Sequence, residues 1–402
     1  MDLKKTNDAV MRRLHAMNDR VRMLKENDLY FYNQPIEEIR GGARVLVRGR
    51  EMGMYASYSY LGLIGHPRIN EAAKKAVDKF GTGTNGVRML AGTLTIHTEL
   101  EETIAEFKKA EAAVTYSSGY ATNLTVVSSL MGRGDYVLSD KLNHASIVDG
   151  CLMSGAEFRR FRHNDMDDLE KRLQNVPSDR AKMVIADSVF SMDGDIIDLP
   201  KVVELCQKYN AWLMIDEAHS VGVLGETGRG IEEHFGLGDV IDIKMGTLSK
   251  TIPSVGGYVA AKKEIITYLS NASRAYIFSA ALPPAQAAAA NEAFKVILDE
   301  PWRMEKLNKN TQQYINGLKG MGFDTMLTET AIVPVLCGSD ERAFALTREA
   351  QHHDVFVLPV VSPAVPQGLA RLRATITAAH ETDEISYAME VIGKAGKEIG
   401  II

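Results

Sequence analysis

WLMIDEAH at residues 212–219 and VIDIKMGTLSK at residues 240–250 are the two stretches from which the architecture follows. Each begins as a short apolar run and ends in polar residues, which is typical of a buried strand that stops at the edge of a sheet. The first strand would carry Asp216 and His219 to that edge, and the second would carry Lys250. The two stretches therefore predict that an acid, an imidazole and an amine lie close together.

Strands and helices alternate on both sides of these stretches, which predicts an α/β fold with a mostly parallel sheet and right-handed crossovers. The predicted strands cover residues 113–116, 136–140, 183–187, 212–216 and 240–247. Ligands of such sheets bind beyond the carboxyl ends of the strands. Asp140, His144 and Asp187 also follow strand ends, so the predicted site lies at that edge.

Three regions are predicted along the chain. Residues 1–60 form an N-terminal arm and a small hairpin, because apolar residues first recur at helical spacing and short alternating segments then flank residues 48–50. Residues 61–290 form the large domain that contains the parallel sheet. Residues 291–402 form a smaller α+β domain, since long helical patterns there alternate with strand-like segments.

The composition is that of an ordinary globular protein, with 45% hydrophobic residues, 24% charged residues and a formal net charge of -6. Because there is no basic field and no run of Lys and Arg, we expect no nucleic-acid partner. The alanine-rich stretch at residues 280–290 is interrupted by Pro283 and Pro284, so we expect no transmembrane segment. A charged start and three widely spaced cysteines favour a cytoplasmic protein with reduced thiols.

The residues at the predicted sheet edge suit chemistry on pyridoxal 5'-phosphate. An acid can hold the pyridine nitrogen protonated, and a lysine that has lost its proton can form an imine with the aldehyde. Asp216 and Lys250 are the candidates for these two roles. His219 could reach the phenolic oxygen of the ring, and His144 could stack on it. SSG at residues 117–119, between a predicted strand and a predicted helix, leaves free N–H groups for a phosphate.

Other motifs give weaker indications. GTGTNG at residues 81–86 matches the dinucleotide fingerprint, but it follows a helix instead of a strand, so we interpret it as a loop near the site. No serine combines a GxSxG motif with acid and histidine partners, which argues against a serine hydrolase. DGD at residues 193–195 does not continue as a calcium loop, and His352 and His353 are adjacent, so no metal site is predicted.

Several motifs, in order, resemble the α-oxoamine synthases, fold-type I pyridoxal phosphate enzymes that include serine palmitoyltransferase and 8-amino-7-oxononanoate synthase. These motifs are NHAS at residues 143–146, FSMDGD at 190–195, DEAHSVGVLG at 216–225 and GTLSK at 246–250. The similarity extends from about residue 30 to the end of the chain. The resemblance implies a homodimer whose active site lies at the subunit interface.

The resemblance also implies a role for each matching residue. Lys250 would form the imine with the cofactor, Asp216 would pair with the pyridine nitrogen, and His219 and His144 would contact the phenolic oxygen and the ring. Arg373 would hold the amino acid carboxylate as a bidentate clamp. The residues implied to hold the phosphate are Ser118, Gly119, Tyr120, Thr247 and, from the neighbouring subunit, Ser279.

The implied reaction joins serine, alanine or glycine to an acyl thioester of coenzyme A or of an acyl carrier protein. It yields an α-amino ketone, carbon dioxide and free thiol. Ser59, Asp187 and residues 253–254 depart from residues frequent in the family and lie around the expected substrate pocket, which makes Ser59 a further candidate for substrate binding. An aminotransferase or lyase on the same scaffold, and a non-catalytic partner subunit, are the alternatives.

Overall fold

The structure, a computed structural model, describes residues 8–402, so residues 1–7 of the predicted arm lie outside it. The described helices are α1 (Asp8–Glu26), α2 (Pro67–Phe80), α3 (Thr95–Phe107), α4 (Gly119–Leu130), α5 (Ala145–Ser154), α6 (Met166–Gln174), α7 (Leu199–Tyr209), α8 (Ile231–His234), α9 (Lys263–Ala272), α10 (Arg274–Ile277), α11 (Pro284–Asp299), α12 (Trp302–Gly320), α13 (Asp340–His352) and α14 (Thr382–Ile399). The described strands are β1 (Glu38–Arg40), β2 (Arg44–Val47), β3 (Arg50–Met54), β4 (Ala112–Tyr116), β5 (Tyr136–Asp140), β6 (Glu157–Phe161), β7 (Lys182–Asp187), β8 (Trp212–Asp216), β9 (Ile243–Thr247), β10 (Gly257–Ala261), β11 (Ile332–Gly338), β12 (Val355–Phe356), β13 (Leu358–Val360) and β14 (Ala370–Thr375).

A seven-stranded sheet in the order β4-β10-β9-β8-β7-β5-β6 forms the centre of the large domain. Every strand in it is parallel to its neighbours except β10, which runs antiparallel to both β4 and β9. All residues of β7 and β9 are buried, as expected when helices cover both faces of a sheet. The parallel arrangement brings the carboxyl ends of β5, β7, β8 and β9 to one edge.

The smaller C-terminal part contains a three-stranded antiparallel sheet, in the order β11-β14-β13, that packs against α13 and α14. The predicted hairpin is present as β2 and β3, and β12 extends its sheet by pairing in parallel with β3. Leu24 and Phe31 share a hydrophobic core with Tyr314 and Phe344 of this part. The N-terminal segment therefore packs on the small domain, and the boundaries 1–60, 61–290 and 291–402 stay predictions.

The local interactions explain where several elements begin. Helix α4 begins after Ser118, whose Oγ accepts a hydrogen bond from the Ala121 N–H group. Strand β9 begins at Ile243 and not at residue 240 as predicted, because the Asp242 carboxylate instead accepts the Leu213 N–H group at 2.8 Å.

Among residues 8–402, no helix combines the length and the apolarity that a membrane crossing requires.

A buried ion pair explains the role of Glu217, the residue that follows Asp216. The Lys108 Nζ and Glu217 Oε2 atoms lie 2.6 Å apart, and the two side chains are 2% and 0% exposed. The other Glu217 oxygen accepts the Ile231 N–H group at 3.0 Å. Glu217 therefore ties β8 to α8 and to the end of α3, and it has a structural role distinct from that of its neighbour.

Substituting Glu217→Gln is expected to lower the free energy of unfolding by about 3–5 kcal/mol, because it leaves the buried Lys108 ammonium without its counter-charge. Urea titration followed by circular dichroism measures the change. The control is Glu204→Gln, which breaks an exposed pair with Lys201 at 2.7 Å and should leave the midpoint unchanged. Equal midpoints for the two variants would contradict this role of Glu217.

Candidate active site

A cavity of about 280 Å³ lies at the carboxyl edge of the large sheet. Its walls come from the ends of β7, β8 and β9 and from the first turns of α4 and α5, the elements that the strand-end pattern predicted. The predicted residues that line this cavity are Ser118, Gly119, Tyr120, His144, Asp216, His219, Thr247 and Lys250. The acid, the imidazoles and the amine thus share one space.

Lys250 is part of a short hydrogen-bonded chain. Its Nζ atom lies 2.9 Å from His219 Nε2, and His219 Nδ1 lies 2.7 Å from the hydroxyl of Tyr60. Burial lowers the pKa of Lys250 to about 8, and the positive Arg373 acts in the same direction, although Asp216 and Asp187 oppose it. Burial and the nearby cations also lower the pKa of His219 well below its usual value, which keeps this imidazole neutral.

Asp216 is held in place by neutral hydrogen-bond donors. Its Oδ2 atom accepts the Asn123 side-chain amide at 2.7 Å, and its Oδ1 atom accepts the Ala218 N–H group at 2.9 Å. The neighbouring Asp187 has a raised pKa, first because it is buried and then because Asp216 repels its negative charge. When two carboxyl groups are neighbours, the ionisation of one opposes the ionisation of the other. Asp216 is the one whose negative charge is better stabilised, because both of its oxygens accept hydrogen bonds.

The start of α4 forms the opposite wall. The N–H groups of Gly119 and Tyr120 belong to its first turn, where a helix has no carbonyl partners for its donors. Gly119 packs so tightly that an added Cβ would lie 3.0 Å from Thr247 Oγ1. Thr247 Oγ1 is also 2.9 Å from Ser249 Oγ. Backbone donors and hydroxyl groups therefore converge where the helix dipole is positive, an arrangement that binds a phosphate.

His144 precedes α5 and forms a third wall. Its Nδ1 atom lies 2.7 Å from Ser146 Oγ, and its backbone N–H group donates to Asp187 at 3.1 Å. Partial burial lowers the pKa of His144; the Asp216 carboxylate opposes this shift, and positive charge on Lys250 adds to it. The side chain is thus a neutral aromatic ring fixed beside the two carboxyl groups.

Three predicted residues do not line this cavity. Arg373 lies at its edge, where its Nε donates to the carbonyl of Ser191 at 2.6 Å and its guanidinium carbon is 5.0 Å from the Tyr58 ring centre. Ser59 lines an adjoining cavity of about 420 Å³ that also contains Lys250. Ser279 lies with its hydroxyl 3.2 Å from that of Ser117 in the same chain. The roles assigned to all three stay predictions.

Two residues of the site were not predicted from the sequence, Asn123 and Tyr60. Asn123 follows Gly119 by four positions, so it lies on the same face of α4 one turn later, and this spacing was the available signal. Asp187, which the sequence placed at a strand end and near the expected substrate pocket, lines the cavity. Tyr60 gave no signal, because its contact with His219 joins residues 159 positions apart. Between residues 8 and 402, the structure brings no three His, Cys, Asp or Glu side chains together as a metal-binding group.

The fold and the cavity define an α/β transferase of fold type I. The chain belongs to the aminotransferase class I and II family, which it matches over residues 55–392. It is 43% identical over 391 residues to 8-amino-7-oxononanoate synthase of Thermoanaerobacter pseudethanolicus, covering 94% of this chain and 99% of that one. It is 43% identical over 381 residues to serine palmitoyltransferase of Sphingobacterium spiritivorum, covering 95% of each.

Solved structures agree with this assignment. Serine palmitoyltransferase of Sphingomonas wittichii matches with a TM-score of 0.92 and 33% identity over 100% of both chains. A high-resolution structure of SPT with the PLP internal aldimine matches with a TM-score of 0.92 and 35% identity, again over 100% of both chains. The predicted fold class and the resemblance to α-oxoamine synthases are confirmed.

The lowered pKa of Lys250 predicts how the reactivity of its amine depends on pH. The amine attacks aldehydes only when it is unprotonated, so its reductive methylation by formaldehyde in the cofactor-free protein should rise with pH and reach half its maximum near pH 8. Ordinary exposed lysines should show the same rise near pH 10.4, roughly the value for free side chains. Carbon-13 NMR of the methylated lysines measures both profiles. A Lys250 profile that coincides with the bulk profile would refute the argument.

Proposed function

We propose that this chain is a pyridoxal 5'-phosphate-dependent C-acyltransferase of the α-oxoamine synthase type, which joins an amino acid to an acyl thioester with loss of carbon dioxide. The observation that carries the proposal is that Lys250, Asp216 and His144 line one cavity in a chain 43% identical to both an 8-amino-7-oxononanoate synthase and a serine palmitoyltransferase. The names of those two enzymes describe different reactions of one type. We therefore propose the type of reaction and do not assign a particular amino acid or acyl group.

The cavity residues fit pyridoxal phosphate. Asn123 Oδ1 and Asp187 Oδ1 are buried polar atoms that no residue in 8–402 hydrogen-bonds. Both residues line the cavity, so a polar ligand there would meet unsatisfied groups. Asp216 would hold the ring nitrogen, His219 the phenolic oxygen, and His144 would form the aromatic wall. The phosphate would be held by Ser118, Gly119, Tyr120, Thr247 and the partner subunit's Ser279.

Two side chains of the cavity control where protons lie. When bound, pyridoxal phosphate supplies an aldehyde for a lysine amine and a ring that accepts an electron pair from a substrate carbon. Because its pKa is lowered to about 8, Lys250 offers that amine in the neutral form far more often near neutral pH than an ordinary lysine does, and the same group is in place to accept the α-proton of an amino acid. Asp216, whose position the Asn123 amide fixes, supplies the negative charge that keeps a proton on the ring nitrogen.

Arg373 is the proposed binding group for the amino acid carboxylate. Within the part of the chain that the structure describes, its buried Nη2 atom has no hydrogen-bond partner, whereas Nε and Nη1 donate to Ser191 and Thr375. A free donor on a fixed guanidinium is suited to a carboxylate. Ser59, whose buried hydroxyl has no partner among the same residues, is the proposed second contact for the substrate, in the cavity that adjoins Lys250.

We also propose that the chain forms a homodimer with shared active sites. Leu90 and Phe278 are 83% and 76% exposed, and Leu152 and Met153 are 64% and 60% exposed. Large apolar side chains this open to solvent are typical of protein–protein contacts. Ser279 follows Phe278, which would place it at that contact. The acyl donor is a thioester of coenzyme A or of an acyl carrier protein, and the three buried free cysteines suit a cytoplasmic location.

Substituting Lys250→Ala should abolish turnover, because among residues 8–402 no other lysine lines the cavity to attack the aldehyde and accept the α-proton. The assay measures free thiol released from acyl thioesters in the presence of serine, alanine or glycine. Lys295→Ala, at an exposed position of α11, is the control and should keep full activity. Thiol release by the Lys250 variant at the wild-type rate would contradict the proposal, and keto acid formation without thiol release would identify an aminotransferase instead.

Substituting Arg373→Gln should raise the KM for the amino acid by roughly 100-fold, the effect of losing charge-assisted hydrogen bonds to a carboxylate. The KM for the acyl thioester should change far less, which provides an internal control. Steady-state kinetics with each substrate varied in turn measures both constants. An equal rise in the two values would show that Arg373 supports the fold of the site and does not bind the carboxylate.

A further inference from the structure

The hydroxyl of Tyr60 sits at the start of the chain of contacts that ends at Lys250. Tyr60 is fully buried, and its carbonyl is fixed by the Ala378 N–H group at 2.8 Å. Its hydroxyl is 2.7 Å from His219 Nδ1, while the opposite ring nitrogen, Nε2, is 2.9 Å from Lys250 Nζ. The imidazole thus lies between a phenol and an amine, with one ring nitrogen facing each.

The direction of the hydrogen bond from Tyr60 follows from the protonation of its phenol. Burial raises the pKa of Tyr60 to about 12, although the positive charge of Arg373 opposes the rise. The phenol therefore keeps its proton, and it carries one donor and two lone pairs. Among residues 8–402, the His219 Nδ1 atom is the hydrogen-bond partner of the Tyr60 hydroxyl, so this buried O–H group donates to Nδ1.

We propose that Tyr60 is a positioning residue that fixes His219 in the Nε2–H tautomer, so that the imidazole presents a hydrogen-bond donor to the Lys250 amine. A neutral imidazole has one N–H donor and one acceptor nitrogen, and the hydrogen bond made by one nitrogen determines the state of the other. The neutral amine of Lys250 accepts a hydrogen bond through its lone pair, whereas the ammonium form has donors only. An Nε2–H group therefore favours the neutral amine. This inference rests on the proposed function of Lys250.

The other groups around the imidazole do not compete for Nδ1. Tyr58 meets the His219 ring edge-on at 5.9 Å. Burial opposes protonation of the imidazole, and positive charge on Lys250, Arg373 or His144 adds to that effect. Among the residues with described contacts, Tyr60 is the only one that bonds Nδ1.

The test determines the tautomer in the full-length, cofactor-free chain by solid-state NMR with nitrogen-15 labelled histidine. The His219 signals are assigned from the spectrum of His219→Asn. In the wild-type chain, Nε2 should show the shift of a protonated ring nitrogen and Nδ1 that of an unprotonated one. The reverse assignment would overturn the proposal, and this outcome needs no variant at Tyr60 and no enzymatic activity.

Substituting Tyr60→Phe removes the hydrogen bond to His219 Nδ1, so His219 should become a mixture of both tautomers. An Nδ1–H imidazole offers Nε2 as an acceptor to the Lys250 ammonium, so the pH profile for methylation of Lys250 should move up by about one pH unit, the size expected of one hydrogen bond. Tyr55→Phe is the control, because Tyr55 is also buried and its hydroxyl donates to the Glu384 carbonyl at 2.9 Å, a contact that does not involve His219. An unshifted Tyr60→Phe profile, or an equal shift in both variants, would overturn the proposal. Failure of Lys250→Ala to lose turnover would instead refute the proposed function.

Discussion

The withdrawal of the Lys250 amine from water is the constraint on which the rest of the site depends. A lysine in solvent is an ammonium ion at neutral pH and cannot attack a carbonyl carbon. Here burial favours the neutral form, and Arg373 adds to that effect while Asp216 and Asp187 oppose it. The two carboxylates limit the fall in the pKa of the amine. The amine can therefore still accept a proton, as a general base must. The balance between these charges, more than any single contact, defines the site.

That balance is possible because the large sheet brings unlike groups to one edge. Strands β8 and β9 are adjacent and parallel, so Asp216 and Lys250 lie at the same edge of the sheet although 33 residues lie between them in the sequence. The antiparallel strand β10 completes the edge, since an added Cβ at Gly257 would lie 2.4 Å from Thr122 Oγ1 and 2.7 Å from the Gly119 backbone. Close packing of β10 against α4 thereby sets the position of the helix start that faces the cavity.

The sequence predicted the parallel strands and the residues at their ends because both have local signals, namely a short apolar run followed by polar groups. It failed for elements without such signals. Strand β6 (EFRRF) carries three charged residues and was not among the predicted strands, whereas pairing with β5 along its whole length makes it a strand. The contact between Tyr60 and His219 and the core shared by Phe31 and Phe344 join distant parts of the chain, so no short-range pattern could reveal them.

Two arginines of strand β14 bind the turn at residues 191–193, which follows strand β7 of the large sheet. Arg371 pairs with the Asp193 carboxylate at 2.7 Å, and Arg373 donates to the Ser191 carbonyl. The guanidinium assigned to the substrate is consequently a part of the domain junction and not an independent side chain. The position of the carboxylate-binding group therefore depends on Asp193, which does not line the cavity. A substitution at Asp193 would shift that group, and with it the choice of substrate, while every residue that lines the pocket remains as it was.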